Sequence, residues 1–412
     1  MDENSIILGF YESCEDFPVG SVAPDRSLVG HFKPLEDSRC PLKRRHILHE
    51  MIVIAIAAIL CGAGGWVGIA QFGRSKRVWL QGFLTLPHGI PSHDTFGRVF
   101  ALLEPAAFEA CFRAWVESIR ALLPGEIIAI DSKTLRRSHD RGAGLAALHL
   151  VSAWAAQNRL VLGQVATDAK SNEITAIPRL LELLHIQGCI VTIDAMGCQT
   201  KIAALIIARG GDYLLALKGN QGTLAAEVEE AFIDADAKDY VGLPAQVVET
   251  VEQGHGRRER RRYRTLGQLG DLSNGAAWAG LNMLGMVECE CERDGKITRE
   301  TRYYIGSIGL DAHTFAGAAR GHWGIENSLH WSLDVAFRED ESRVRDDNAR
   351  ENLAVLRHLA LNRLKNDNTK LGIANKRLRA GWDETYLHRL LFEPPDLPTK
   401  TKTSASSNIR VD

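Results

Sequence analysis

Two hydrophobic periods divide the chain. Glu126–Asp131 (EIIAID) and Ile190–Asp194 (IVTID) are short, unbroken apolar runs, each closed by an aspartate, and runs of this kind read as strands buried on both faces. Between them His149–Ala156 and Leu160–Ala166 are separated only by Gln157-Asn158-Arg159, the signature of a hairpin. Helical spacing takes over in Ile174–His185, Lys201–Arg209 and Gly222–Ile233, with a further strand at Tyr213–Leu217. The predicted order is β-β-β-α-β-α-β, an α/β architecture with helices packed on a sheet. From about 236 to 310 the pattern becomes turn-rich and alternating, as in Gln246–Val251 and Arg299–Ile308, and predicts a β-rich insertion.

Upstream, residues 39–123 read as a small all-helical domain, with Ser92 or Asp94 as an N-cap and Pro105 opening another helix, and Pro124-Gly125 marks its end. Met51–Ala70 carries no charge and is long enough to raise the question of a membrane span. Gly62, Gly64, Gly65 and Gly68 interrupt its second half, so a buried core helix of about three turns is the expectation. Downstream, Leu353, Leu356, Ala360 and Leu364 predict a packed C-terminal helix within a catalytic domain spanning 124–392. Residues 1–38 and the tail from about 393 to 412 lack sustained periodicity and are expected to be loosely structured.

Composition changes this picture little. With 412 residues, 45% hydrophobic, 24% charged and a net charge of -2, the chain is an ordinary globular sequence whose overall field draws it to no particular polymer. Eight scattered cysteines without a CxxC pair, and an N-terminus without a basic signal region, fit a reducing, cytoplasmic setting. Charge matters locally. Arg39, Lys43, Arg44, Arg45 and His46 precede the apolar helix, either as phosphate contacts or as a solvated face. In the insertion, Arg257, Arg258, Arg260, Arg261 and Arg262 form a run suited to phosphate oxygens, with a charge-protected edge strand as the plain alternative.

Arg320–Asp340 (RGHWGIENSLHWSLDVAFRED) concentrates the candidate chemistry. His322, Glu326 and His330 recur every four residues and so share one face of an α-helix, leaving Trp323, Ile325, Leu329 and Leu333 to pack elsewhere. A carboxylate there could meet Asp131 and Asp194, and together the three could hold a pair of Mg²⁺ ions for phosphoryl displacement. Acidic residues also end many strands without function. A zinc site built from His322, Glu326 and His330 lacks the HExxH spacing, and a packing network of histidines around a catalytic Glu326 is preferred. Asp334 is the second choice for the third carboxylate.

These segments resemble the DDE transposases of bacterial insertion sequences, in the branch of H-repeat-associated proteins, over about Phe32–Leu364. The likeness is carried by His46-x-Leu48 with Cys61-Gly-Ala, Pro91–Phe96 (PSHDTF), Ile130–Arg136 (IDSKTLR), Thr192–Met196 (TIDAM), Leu217–Gln221 (LKGNQ), His255-Gly-Arg257 and His322–Val335 (HWGIENSLHWSLDV). The resemblance implies a ribonuclease H-like catalytic domain with a β insertion, and a catalytic, metal-binding triad of Asp131, Asp194 and Glu326. It also implies two Mg²⁺ (or Mn²⁺) ions, cleavage at element ends and 3′-hydroxyl strand transfer, with double-stranded DNA as partner and a homo-oligomer in the DNA complex. Ser132 stands where the family usually has glycine. The family's Tyr, Arg and Lys around its glutamate are absent, so Lys133, Lys218, His322 and His330 are candidates for DNA contact in their place. A nuclease without strand transfer, or a domesticated DNA-binding relative, are the alternatives.

Overall fold

A computed structural model describes residues 27–395 except 122, 141, 143, 168–172, 255 and 271, and of Asp347 the backbone only. Most of the expected lead-in and tail, and the His255 of the His-Gly-Arg motif, therefore lie outside the described residues. The described end of the lead-in is not loose. Leu28, Val29 and Phe32 are buried, and the Phe32 ring packs on Phe108 with centroids 5.1 Å apart.

Five helices follow: α1 (Leu48–Leu60), α2 (Trp66–Ser75), α3 (Arg77–Leu80), α4 (His93–Leu102) and α5 (Pro105–Ile119). Gly62, at φ 106°, occupies a conformation that a side chain resists and turns the chain out of α1. The apolar Met51–Ala70 stretch thus becomes two helices, and no described helix is long and apolar enough to cross a membrane. Ser92 is the cap of α4, its Oγ accepting from Thr95 N at 3.2 Å.

Next come β1 (Ile127–Thr134), β2 (His149–Ala155), β3 (Leu160–Thr167), α6 (Glu173–Leu183), β4 (Ile190–Ile193), α7 (Thr200–Ala208), β5 (Asp212–Leu217) and α8 (Gly222–Ala237). The insertion is a four-stranded antiparallel unit, β6 (Ala245–Gly254), β7 (Arg257–Leu266), β8 (Met283–Arg293) and β9 (Lys296–Gly306). Rather than standing apart, β9 pairs antiparallel with β5, so one sheet runs β3-β2-β1-β4-β5-β9-β8-β7-β6. Its first five strands, with β1, β4 and β5 parallel and the hairpin antiparallel to β1, are a ribonuclease H-like fold.

The chain closes with α9 (Ala312–Gly324), a π turn (Ile325–His330), α10 (Trp331–Phe337), α11 (Asp347–Lys365), α12 (Ile373–Trp382) and α13 (Glu384–Phe392). Helix α11 is central, not peripheral. Leu353, Leu356, Ala360 and Leu364 are buried, and so are the polar Asn352, Arg357 and Asn362. Asn362 completes the β3 edge as a neighbouring strand would, accepting from Val161 N at 2.8 Å and donating to Val161 O at 2.9 Å. One continuous core runs from Leu28 through the sheet to Leu391, so the helical block shares its interior with the sheet.

Candidate active site

The sheet register brings the two aspartates together. Ile130 of β1 lies beside Ile193 of parallel β4, and the next residue on each strand is Asp131 and Asp194. Neighbouring strands are about 4.8 Å apart, so the two carboxylates start side by side, Asp194 just past the end of β4 but Asp131 within β1, which runs on to Thr134 rather than closing at the aspartate as expected. Asp131 Oδ1 accepts from Ser132 N at 2.8 Å, and Asp194 Oδ1 caps the following turn by accepting from Met196 N at 3.1 Å.

Glu326 arrives from the other layer. Gly321 lets α9 settle on β1, since a Cβ there would come within 2.9 Å of Ile127 Cδ1. His322 Nδ1 is hydrogen bonded to Thr192 Oγ1 of β4 at 3.0 Å, a second tether between helix and sheet. Asp131, Asp194, Glu326, His322, Lys218 and Arg302 line one cavity of about 150 Å³.

The expected α-helical face needs correcting here. Ile325–His330 is a π turn, which takes an extra residue and breaks the strict four-residue repeat, and such turns favour functional sites. His322 and Glu326 reach the cavity, whereas His330 stays outside its lining, with Nδ1 3.7 Å from Asp131 Oδ2. Ile325, Leu329 and Leu333 pack inward as expected.

Charge in the cavity is strained. Burial, together with the Asp194, Glu326 and Glu173 charges, pushes Asp131 up to about 7 against the bond from Ser132. Burial lowers His322, and burial with the nearby Lys133 ammonium pushes His330 down to about 4, so His330 is neutral at pH 7. The donor chemistry, hard carboxylate oxygens crowded in a partly desolvated space, suits Mg²⁺. The carboxylates line the cavity without closing on a common point. Among the described residues no group of three or more His, Cys, Asp or Glu stands ready to hold one ion.

Other sequence candidates fall elsewhere. Asp334 does not line the cavity, because it pairs with Lys133, which also meets Glu339 at 3.0 Å. Lys133 is therefore engaged within the fold and is not presented to a polymer. The arginine run lies on β7, an interior strand between β6 and β8, so it is no edge strand. Strand alternation also splits it. Arg257 and Arg261 face a groove of about 450 Å³ that reaches Glu326, while Arg260 turns away to bond Glu249 at 2.8 Å. Arg262 sits 3.8 Å from the same glutamate.

Sequence reading missed both Arg302 and Glu173. Arg302 lines both cavity and groove, with its guanidinium 4.4 Å from the centre of the Trp323 ring. Glu173 accepts from Ser132 Oγ at 2.6 Å and bonds His149 Nε2 at 2.8 Å, giving a buried partner to the hydroxyl that replaces the usual glycine. Neither carries a local signal, since each becomes meaningful only through a strand pairing or a helix start far along the chain.

A ribonuclease H-like sheet with an aspartate within β1 beside one that follows β4, and a glutamate from a covering helix, defines the class. Residues 123–363 match the family described as Transposase DDE domain, and residues 29–116 the one described as DDE_Tnp_1-associated. The chain belongs to the DDE transposase family. It is 39% identical to the "H repeat-associated putative transposase YhhI" of Escherichia coli K12 across 89% of this chain and 98% of that protein. It is 44% identical to the "Uncharacterized protein in dhlA 3'region" of Xanthobacter autotrophicus, across 66% of this chain and 91% of that protein. A solved structure of a piggyBac transposase synaptic complex with hairpin DNA aligns with a TM-score of 0.39 at 10% identity, covering 92% of this chain and 80% of that one; an overlap this loose adds nothing to the account.

Proposed function

We propose that the protein is a DNA transposase that cleaves phosphodiester bonds at the ends of an insertion sequence and joins the freed 3′-hydroxyl to target DNA. The observation that carries this reading is the pairing of Ile130 with Ile193, which sets Asp131 beside Asp194 in a cavity that Glu326 also lines. Asp131, Asp194 and Glu326 are the residues that would hold Mg²⁺ or Mn²⁺, two ions in all. When bound, the metal lowers the cost of forming the attacking oxyanion and stabilises charge on the leaving oxygen. The chain's own part is to hold the carboxylates. Backbone N–H groups of Ser132 and Met196 fix one oxygen of each aspartate and leave the other free, and the His322–Thr192 bond keeps the glutamate's helix against β4.

DNA would run along the groove beside Glu326. Arg257, Arg261, Arg299, Arg302 and Arg320 line it, and guanidinium groups match phosphate oxygens in geometry and charge. Lys218, exposed at the mouth of the carboxylate cavity, is suited to a phosphate next to the scissile bond. Arg258, Arg260 and Arg262 are assigned a secondary place because they lie on the opposite face of β7. Joining two element ends calls for a homo-oligomer on the DNA, and we infer that the work is done in the cytoplasm. The test is incubation of the full chain with Mg²⁺ and duplexes that carry the element's terminal repeats, with nicks mapped to the nucleotide. Nicks at the repeat boundary that yield 3′-hydroxyl ends, followed by joining to a second duplex, are expected. Cleavage without joining would reduce the reading to a nuclease.

A further inference from the structure

Two contacts join the strand that bears Asp131 to the helical run that bears Glu326. Asp131 and Lys133 are two apart on β1 and so project from the same side of the sheet. Asp131 faces His330 of the π turn. One step further along β1, Lys133 is gripped by Asp334 of α10 and by Glu339, whose Oε2 lies 3.0 Å from Nζ. Arg338, in the left-handed region at φ 52°, ends α10 and reverses the chain so that Glu339 folds back under the strand. Glu339 is almost wholly buried and has a second cation, Arg357 of α11, at 3.5 Å. Three elements thus meet at one ammonium.

The electrostatics make this junction rigid. A buried carboxylate is tolerated only when paired, and withdrawing one partner leaves an uncompensated charge. Here the charges compensate one another in turn, Asp334 and Glu339 on Lys133 and Arg357 on Glu339. The contacts of Lys133 span 201 and 206 residues of sequence, so the clamp fixes where the π turn sits relative to β1.

We propose that Lys133, held between Asp334 and Glu339, is a positioning residue that sets the spacing between the Asp131 and Glu326 carboxylates. This rests on the reading of those carboxylates as a shared metal site. It replaces DNA contact as the role of Lys133, and the two roles predict opposite behaviour for Asp334→Asn. As a DNA contact, Lys133 would be released by that change and bind DNA more tightly. As a clamp, it would slacken, and metal affinity would fall with DNA affinity unchanged.

The experiment uses the full chain as wild type, Asp131→Asn, Asp334→Asn and Lys133→Met, which leaves the buried Glu339 paired with Arg357 and so avoids a lone charge. Thermal midpoints are recorded against MnCl₂ without DNA, and binding of a labelled duplex is followed by anisotropy across a salt series. The wild-type midpoint should rise with Mn²⁺ and that of Asp131→Asn should not. Both clamp variants should need roughly 10-fold or more Mn²⁺ for the same rise, the usual effect of losing a group that supports metal ligands. Their DNA affinity and salt slope should match wild type. Wild-type Mn²⁺ response in both clamp variants, or tighter DNA binding by Asp334→Asn, overturns the clamp while leaving the metal site standing. Identical Mn²⁺ responses in wild type and Asp131→Asn remove the metal site itself and the clamp with it.

Discussion

The two halves of the nine-stranded sheet obey different rules. In β1 to β5 every position but Thr134 is buried or half-buried, and the far edge is closed by Asn362 of α11. In β6 to β9 long stretches are exposed and charge replaces packing, with Arg260 against Glu249 and Arg299 against Glu290 across strands. The covered half can hold a desolvated carboxylate at a fixed position, because its strands cannot slip. The open half offers a charged face whose pairs can exchange glutamate for phosphate. On the proposed reading, chemistry belongs to the first and grip to the second.

The largest effect should come from the covered half. Asp131→Asn is expected to lower cleavage by at least about 1,000-fold, since it removes metal charge at the reacting centre, and to leave DNA affinity within twofold. Gel-based cleavage and anisotropy on the same preparation check both. The same change should stabilise the metal-free protein. With Asp131 held near 7, the folded state retains a proton that the unfolded chain releases near pH 4, so wild-type stability falls as pH rises between those values. Thermal melts at pH 5 and pH 8 should show the variant gaining on wild type at the higher pH. A gain at pH 5 alone would contradict that sign.

Next in size is the edge of that half. Asn362→Ala strands both polar groups of Val161 in the interior and should cost about 2 to 4 kcal/mol in urea unfolding. On the opposite edge, Val247 of β6 is 63% exposed, and Val247→Ala should stay within about 0.5 kcal/mol. Equal losses at the two edges would erase the contrast between the halves.

The smallest effect separates the two faces of β7. Replacing Arg257 and Arg261 by Ala should lower the slope of log affinity against log salt by about 2, close to one unit for each phosphate that is no longer neutralised. The pair Arg260 and Arg262, on the face of β7 away from that groove, should change it by much less. A reversed order would move the DNA path to the other face.

The covered half was also the more legible. EIIAID and IVTID announce buried strands because parallel neighbours under helices leave no solvent face to encode; Asp194 marks the end of its strand, whereas β1 runs three residues past Asp131. The insertion was legible as β structure, but treating its arginines as one surface ignored the two-residue alternation that sends Arg257 and Arg260 to opposite sides. The π turn left no trace in composition, because a single extra residue in a helix alters hydrogen bonding without altering residue type. The Lys133–Glu339 contact joins residues from opposite ends of the domain, and no local pattern in one sequence can report it. Asp334 was a fair candidate by spacing, and only the partner across the fold shows it to be engaged.

Crystals of the full chain soaked in Mn²⁺, with anomalous difference maps recorded at the manganese edge, would decide the central claim. The account predicts density between Asp131 and Asp194 with a Glu326 oxygen about 2.1 to 2.3 Å from a metal, and none there in Asp131→Asn crystals. Manganese bound elsewhere, with the three carboxylates left in their present positions, would contradict it.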